Sequence, residues 1–316
     1  MDAVELFTRD DNSLYDGYSL SFAVNLVVAI IFGIFLVTHV FLARRARQWL
    51  CLYLWGIGLS LEFIGYIGRV INSKNMDNLN AFIMQAVCIT IGPCYLMGGI
   101  YFLIGQLTIV HGQKYSALRP VQYAVVFIIL DFIAVGLQST GGAILSSATT
   151  LSTENLGIHI TLGGLAFQLL STLIFQGYWY VFLYKIYQAN KLEGDSAFPK
   201  KYESIRKSKT YKPFLYAISL SVVLIFIRSC YRVAELAKDD GKLSYDEIYP
   251  MILDALMIIL ASLCLLLVHP GIIFRKVDAK IKISLIECFR PREVDDIEMQ
   301  FVDADNLSAK QLRQTL

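Results

Sequence analysis

The chain has 316 residues, of which 56% are hydrophobic and 17% charged, and its formal net charge is +2. Soluble domains run at about 45–50% apolar and 25% charged residues, so the composition excludes a soluble enzyme, a disordered tail protein and a nucleic-acid binder, which needs a concentrated basic face. What remains is an all-α polytopic membrane protein, in keeping with a mean hydropathy of +0.54.

A helix needs about 20 apolar residues to cross the hydrocarbon core. Seven stretches qualify, at 18–42, 50–71, 81–110, 120–145, 157–184, 213–236 and 248–274. None alternates with period two, which excludes a closed barrel. The third is long and carries Gly92-Pro93 near its middle, so Pro93 predicts a kink or tilt. Residues 18–274 therefore form a seven-helix transmembrane domain. The 1–17 leader has five carboxylates against one arginine, unlike the basic start of a signal peptide, and reads as an extracellular tail. At the other end, 275–290 is basic and amphipathic and reads as an interfacial helix, with 291–316 a disordered acidic cytosolic tail. Cys288 in that run is a candidate palmitoylation site, with a reduced thiol the plainer reading.

Lysine and arginine counts set the orientation. The tail and loops on the N-terminal side of the membrane carry four, and those on the opposite side twenty-one. This predicts an outside N-terminus and a cytosolic C-terminus. Eight of the twenty-one lie in the fifth loop, 185–212, which reads as a solvated, inside-marking segment touching anionic lipid.

Seven charged side chains fall within or at the ends of the spans: Glu62, Arg69, Asp131, Arg228, Arg232, Glu235 and Asp254. A bare charge at the bilayer centre costs about 2.5–3.5 kcal/mol even on the lenient insertion scale, so the deeper ones must pair or face water. Glu62, Tyr66 and Arg69 share one helix face, Arg228, Arg232 and Glu235 repeat that spacing, and Asp131 shares a face with Gln138. Gln168 lies midway along the fifth span. Two readings follow: Glu–Arg pairs that staple helices, one of them bridging the second and sixth, or a polar cavity opening outward to admit an amphiphile's head group. Four carboxylates face three guanidinium groups, which leaves one acid without an arginine. Asp254, whose helix has no arginine, is the first candidate for that role and Asp131 the second.

His39, His111 and His269 fall near one membrane level, but no H-x-x-x-H pair exists and the acids lie toward the other side, so neither metal nor cofactor is expected. The sequence contains no Walker A run, which argues against nucleotide hydrolysis.

The run Glu62-Phe-Ile-Gly65-Tyr66-Ile-Gly-Arg69 resembles the second-helix signature of the fungal RTA-like family of lipid-translocating exporters. The resemblance continues through Pro93, Asp131, Gln138, Gly141-Gly142, Gly164-Leu165 and Gln168. It is densest in Ile227-Arg228-Ser229-Cys230-Tyr231-Arg232-Val-Ala-Glu235 and ends with Asp254 and His269-Pro270-Gly271 at the cytosolic end. The resemblance implies a fungal plasma-membrane protein, not an enzyme. It would move sphingoid long-chain bases, amino-sterols or related amphiphiles without ATP and confer tolerance to them. Its partners would be membrane lipids and amphipathic small molecules, with no nucleic acid. The site expected from residues and resemblance together is Glu62, Tyr66, Arg69, Asp131, Gln138, Gln168, Arg228, Tyr231, Arg232, Glu235 and Asp254. The alternatives are porphyrin or haem transport, and a seven-helix receptor or sensor. The receptor reading has against it a third helix that ends Leu107-Thr108-Ile109-Val110-His111, without an acidic–arginine pair.

Overall fold

The computed structural model describes residues 20–46, 49–76, 78–237 and 248–270. Seven helices in it are long and apolar enough to cross a membrane. They are α1 (Phe22–Ala46), α2 (Trp49–Asn72), α3 (Leu79–His111), α4 (Pro120–Ser146), α5 (Leu151–Glu193), α6 (Tyr211–Ala237) and α7 (Ile248–Leu267). The molecule is an integral membrane protein. The tail at 1–17, the 275–290 helix, the tail at 291–316, and Gly271 and Cys288 lie outside the described residues.

Helix ends follow local chemistry. The Asn78 side chain accepts the Ala81 N–H at 3.2 Å to start α3. Pro120 opens α4, where a lost N–H costs nothing. The Thr150 hydroxyl accepts the Thr153 N–H to start α5. The expected fifth span, 157–184, is a correction on both sides, because Thr150 caps the helix earlier and no breaker stops it before Gly194, at φ 66°. Lys185 and Lys191 thus stand on the helix instead of in a loop. Helix α3 runs on through Pro93.

Sequential helices pack on each other and α7 returns to α1, while α3 also touches α6 and is the most buried of the seven. The faces are inverted relative to a soluble bundle. On α1 the exposed stripe is Val27, Ile30, Ile34, Val37 and Phe41, a lipid-facing edge at helical spacing. On α4, Phe127, Asp131, Ala134, Gln138 and Gly141 turn inward. Glycine decides how closely helices approach. A methyl group at Gly141 would lie 2.5 Å from the Thr161 amide nitrogen and 2.7 Å from the Gly157 carbonyl oxygen. One at Gly65 would lie 2.6 Å from Ile89 Cγ1, and one at Gly99 would run into the Trp55 ring. Gly142 and Gly163 meet nothing.

These neighbours make a sharp contrast. Gly141→Ala should destabilise the bundle by about 1–3 kcal/mol through overpacking, while Gly142→Ala stays within about 0.5 kcal/mol of wild type. Thermal unfolding of the two variants in detergent checks both.

Candidate functional site

The polar centre begins with a backbone defect. Pro93 has no N–H to give the Ile89 carbonyl one turn back, and an unsatisfied backbone group within the hydrocarbon costs several kcal/mol. The Arg228 guanidinium, from α6, fills the gap: its Nη2 donates to the Ile89 oxygen at 2.9 Å. Its Nε lies 2.5 Å from Asp254 Oδ1 on α7, an ion-pair contact whose N–H is not aligned as a hydrogen bond. One side chain thus ties α3, α6 and α7. Asp254 sits in a widened π turn, Met251–Leu256, directly after Pro250. Such turns recur at functional sites.

Beside this knot lies Glu62 of α2, 1% exposed, with Oε1 lacking any hydrogen-bond partner. Among the described residues no lysine, arginine or histidine is within ion-pair distance of it. The expected Glu–Arg bridge between the second and sixth helices is therefore replaced by Arg228–Asp254 between the sixth and seventh. The acid without an arginine is not Asp254 but Glu62, with Asp131 beside it in that category. Gly92 leaves room for the Glu62 carboxylate, since a methyl group there would stand 2.8 Å from Oε1.

The flanking residues are satisfied locally. Tyr66 stacks on Phe32 of α1 at 5.5 Å between ring centroids. Arg69 donates from Nε to Asn25 Oδ1 on α1 at 2.9 Å. Farther along α6, Glu235 accepts from Tyr231 at 3.1 Å and from Arg232 at 2.8 Å, so both its oxygens are engaged within one helix. Side-chain exposure rises from 5% at Arg228 to 30% at Arg232. The cavity expected to open outward is, at its deepest charges, enclosed.

A second polar chain crosses from α3 to α5. Tyr101 donates to Asp131 Oδ2 at 2.9 Å, Gln138 to Gln168 Oε1 at 2.9 Å, and Gln168 to Cys94 Sγ at 3.1 Å. The sequence reading missed Tyr101, Cys94, Asn25 and the Ile89 carbonyl. Only the last had a signal, the proline four residues on.

At the basic end, His269, His39 and Trp55 pack in tilted and edge-to-face contacts with centroids 5.3–6.0 Å apart, and Pro270 is buried next to them. His111 stands apart, with the Tyr211 hydroxyl 3.3 Å from Nε2 and Phe198 against its ring. No cluster able to hold a metal occurs among the described residues. The fifth loop is not a solvated strap: Phe198, Tyr202 and Ile205 are buried in the core. Arg206 pairs with Asp195 at 2.8 Å and donates to the Val110 and Pro199 carbonyls. Its apolar residues, spaced among the lysines, dock the segment under α3.

These features define a seven-helix membrane protein built around a buried set of charges. The profile of the family described as RTA1 like protein matches residues 55–277, and the chain belongs to that family. It is similar to the sphingoid long-chain base transporter RSB1 of Saccharomyces cerevisiae, at 32% identity over 93% of this chain and 81% of that protein. Protein RTA1 of the same species is 26% identical over 78% and 75%. A probable lipid transporter, atnI, of Emericella nidulans is 24% identical over 80% and 67%. No solved structure matches the chain.

Removing Arg228 alone should cost more than removing it together with Asp254, although both variants leave the Ile89 carbonyl without its donor. Arg228→Met strands Asp254 as well and should destabilise by about 3–5 kcal/mol, while Arg228→Met with Asp254→Leu should recover only the share due to the stranded carboxylate. Thermal midpoints in detergent read the difference. Arg206→Ala removes charged hydrogen bonds worth about 1.5–3 kcal/mol each, so protease cleavage within 194–210 should quicken by about tenfold or more.

Proposed function

We propose that this protein translocates single-chain cationic lipids of the sphingoid-base type across the bilayer, exports them and so confers tolerance to them. On this reading it is a transporter without nucleotide hydrolysis and not an enzyme, and its partners are membrane lipids and amphipathic small molecules. Relatives named as transporters of sphingoid long-chain bases and of lipids support the substrate class. The absence of a Walker A run from the sequence supports the energetics.

The observation that carries the reading is Glu62, a fully buried carboxyl near the middle of α2 with no ion pair among the described residues. A fixed anion there must be matched by a cation in any state that leaves it ionised, and a lipid ammonium is such a cation. The remaining residues of the set, Tyr66, Arg69, Asp131, Gln138, Gln168, Tyr231, Arg232 and Glu235, would shape and polarise the path. The lysine and arginine asymmetry supports an outside N-terminus and a cytosolic tail, and a plasma-membrane location suits export.

Purified protein in vesicles tests this. A labelled sphingoid long-chain base should cross at least about tenfold faster than in protein-free vesicles, the effect of roughly 1.4 kcal/mol off the barrier. The N-acylated analogue, which lacks the ammonium, should not. Equal rates with and without protein would defeat the proposal.

A further inference from the structure

We infer that Glu62 exchanges a proton for the substrate's ammonium, so that each lipid cation entering the site expels one proton and transport is coupled to proton movement. This rests on the lipid-cation reading above and adds its driving force.

The argument is one of charge conservation in a place where net charge is costly. Arg228 is committed to Asp254 and to the Ile89 carbonyl, and Arg232 to Glu235. Those two pairs are neutral. Arg69 is bonded to Asn25, two helical turns from Glu62, and is not among the charges that act on it. The titratable groups whose charge or ionisation is felt at Glu62 are Tyr66 on α2, Cys88 on α3, Arg228 and Arg232 on α6, and Asp254 on α7, with none from α1 among the described residues. Their formal charges sum to the excess of Arg232, which Glu235 already matches. An ionised Glu62 alone would therefore leave one net negative charge buried, and an ammonium entering beside a protonated Glu62 would leave one net positive charge. Each state carries the insertion penalty of a bare charge.

Two states escape it. In one, Glu62 is a neutral acid and the site holds no ligand. In the other, Glu62 is a carboxylate against the ammonium. Passage between them is balanced: the Glu62 O–H bond breaks, its proton goes to water, and the carboxylate accepts hydrogen bonds from the incoming R–NH₃⁺, which keeps all its own protons. Reversal on the other side takes a proton up and releases the lipid. A proton gradient across the membrane thereby drives the cation against its own.

Calorimetry on the full-length protein in detergent tests this, with a sphingoid long-chain base titrated at pH 7 in two buffers of different ionisation enthalpy. Its amine, drawn by the neighbouring hydroxyls below the roughly 10.4 of a lysine-type alkylammonium, is still mainly protonated at pH 7. Pairing with a carboxylate strengthens its hold on that proton, so the proton released comes from the protein. Wild type and the surface control Glu154→Gln should release about one proton per base bound, the stoichiometry the charge argument requires. Glu62→Gln should release none, and Glu62→Asp should restore release if the glutamine variant folds poorly. Wild-type protein that binds the base and releases no proton overturns the exchange while leaving lipid translocation standing. Proton release retained in folded Glu62→Gln overturns the assignment to Glu62. Protein that neither binds nor translocates the base overturns both readings.

Discussion

A proline in the middle of a membrane helix leaves one carbonyl without its donor, and within hydrocarbon that vacancy has to be filled from another helix. Here the donor is Arg228, and the choice of a cation has consequences that spread through the bundle. A buried guanidinium needs a carboxylate, which Asp254 provides from a widened turn of α7. The same contact holds α3, α6 and α7 together where apolar packing supplies little discrimination between helices, because lipid tails are as apolar as leucine. Glycines at the α2–α3 and α4–α5 contacts then set the close approaches that bring the remaining polar groups inward.

Once Arg228 is committed, the disposition of the other charges follows. Arg232 and Glu235 neutralise each other on one helix, and Arg69 leans on Asn25. Among the described residues, Glu62 is then left enclosed and without an ion pair beside the knot, a neighbour of charges that are already satisfied. This separates two roles that a list of buried charges merges. Arg228 and Asp254 tie three helices together, while Glu62 makes no ion pair among the described residues. At the basic end the fifth loop is held against the bundle through Arg206, which donates to the Val110 and Pro199 carbonyls.

Much of this was legible in the sequence because the bilayer imposes strong rules. Apolar length gave seven spans, the cost of buried charge singled out the polar side chains, and the Glu62 to Arg69 and Arg228 to Glu235 runs carried the family resemblance. Pairing was not legible. Helical spacing tells which residues share a face, not which face of another helix they meet, so Asp254 read as the acid without an arginine although it is the one most tightly held. The Ile89 carbonyl was implicit in Pro93, but its donor could have come from any neighbour. The fifth loop misled for a different reason: its lysines dominate the charge count, while the few apolar residues that dock it, Phe198, Tyr202 and Ile205, are too sparse to register as a pattern.

The most direct test of the account is a structure determined with a sphingoid long-chain base bound. The account predicts the ammonium within hydrogen-bond distance, about 2.7–2.9 Å for a charge-assisted contact, of Glu62, with Arg228 still on Asp254 and on the Ile89 carbonyl. An ammonium seated on Asp254 with Arg228 displaced, or a head group bound away from Glu62 altogether, would contradict it.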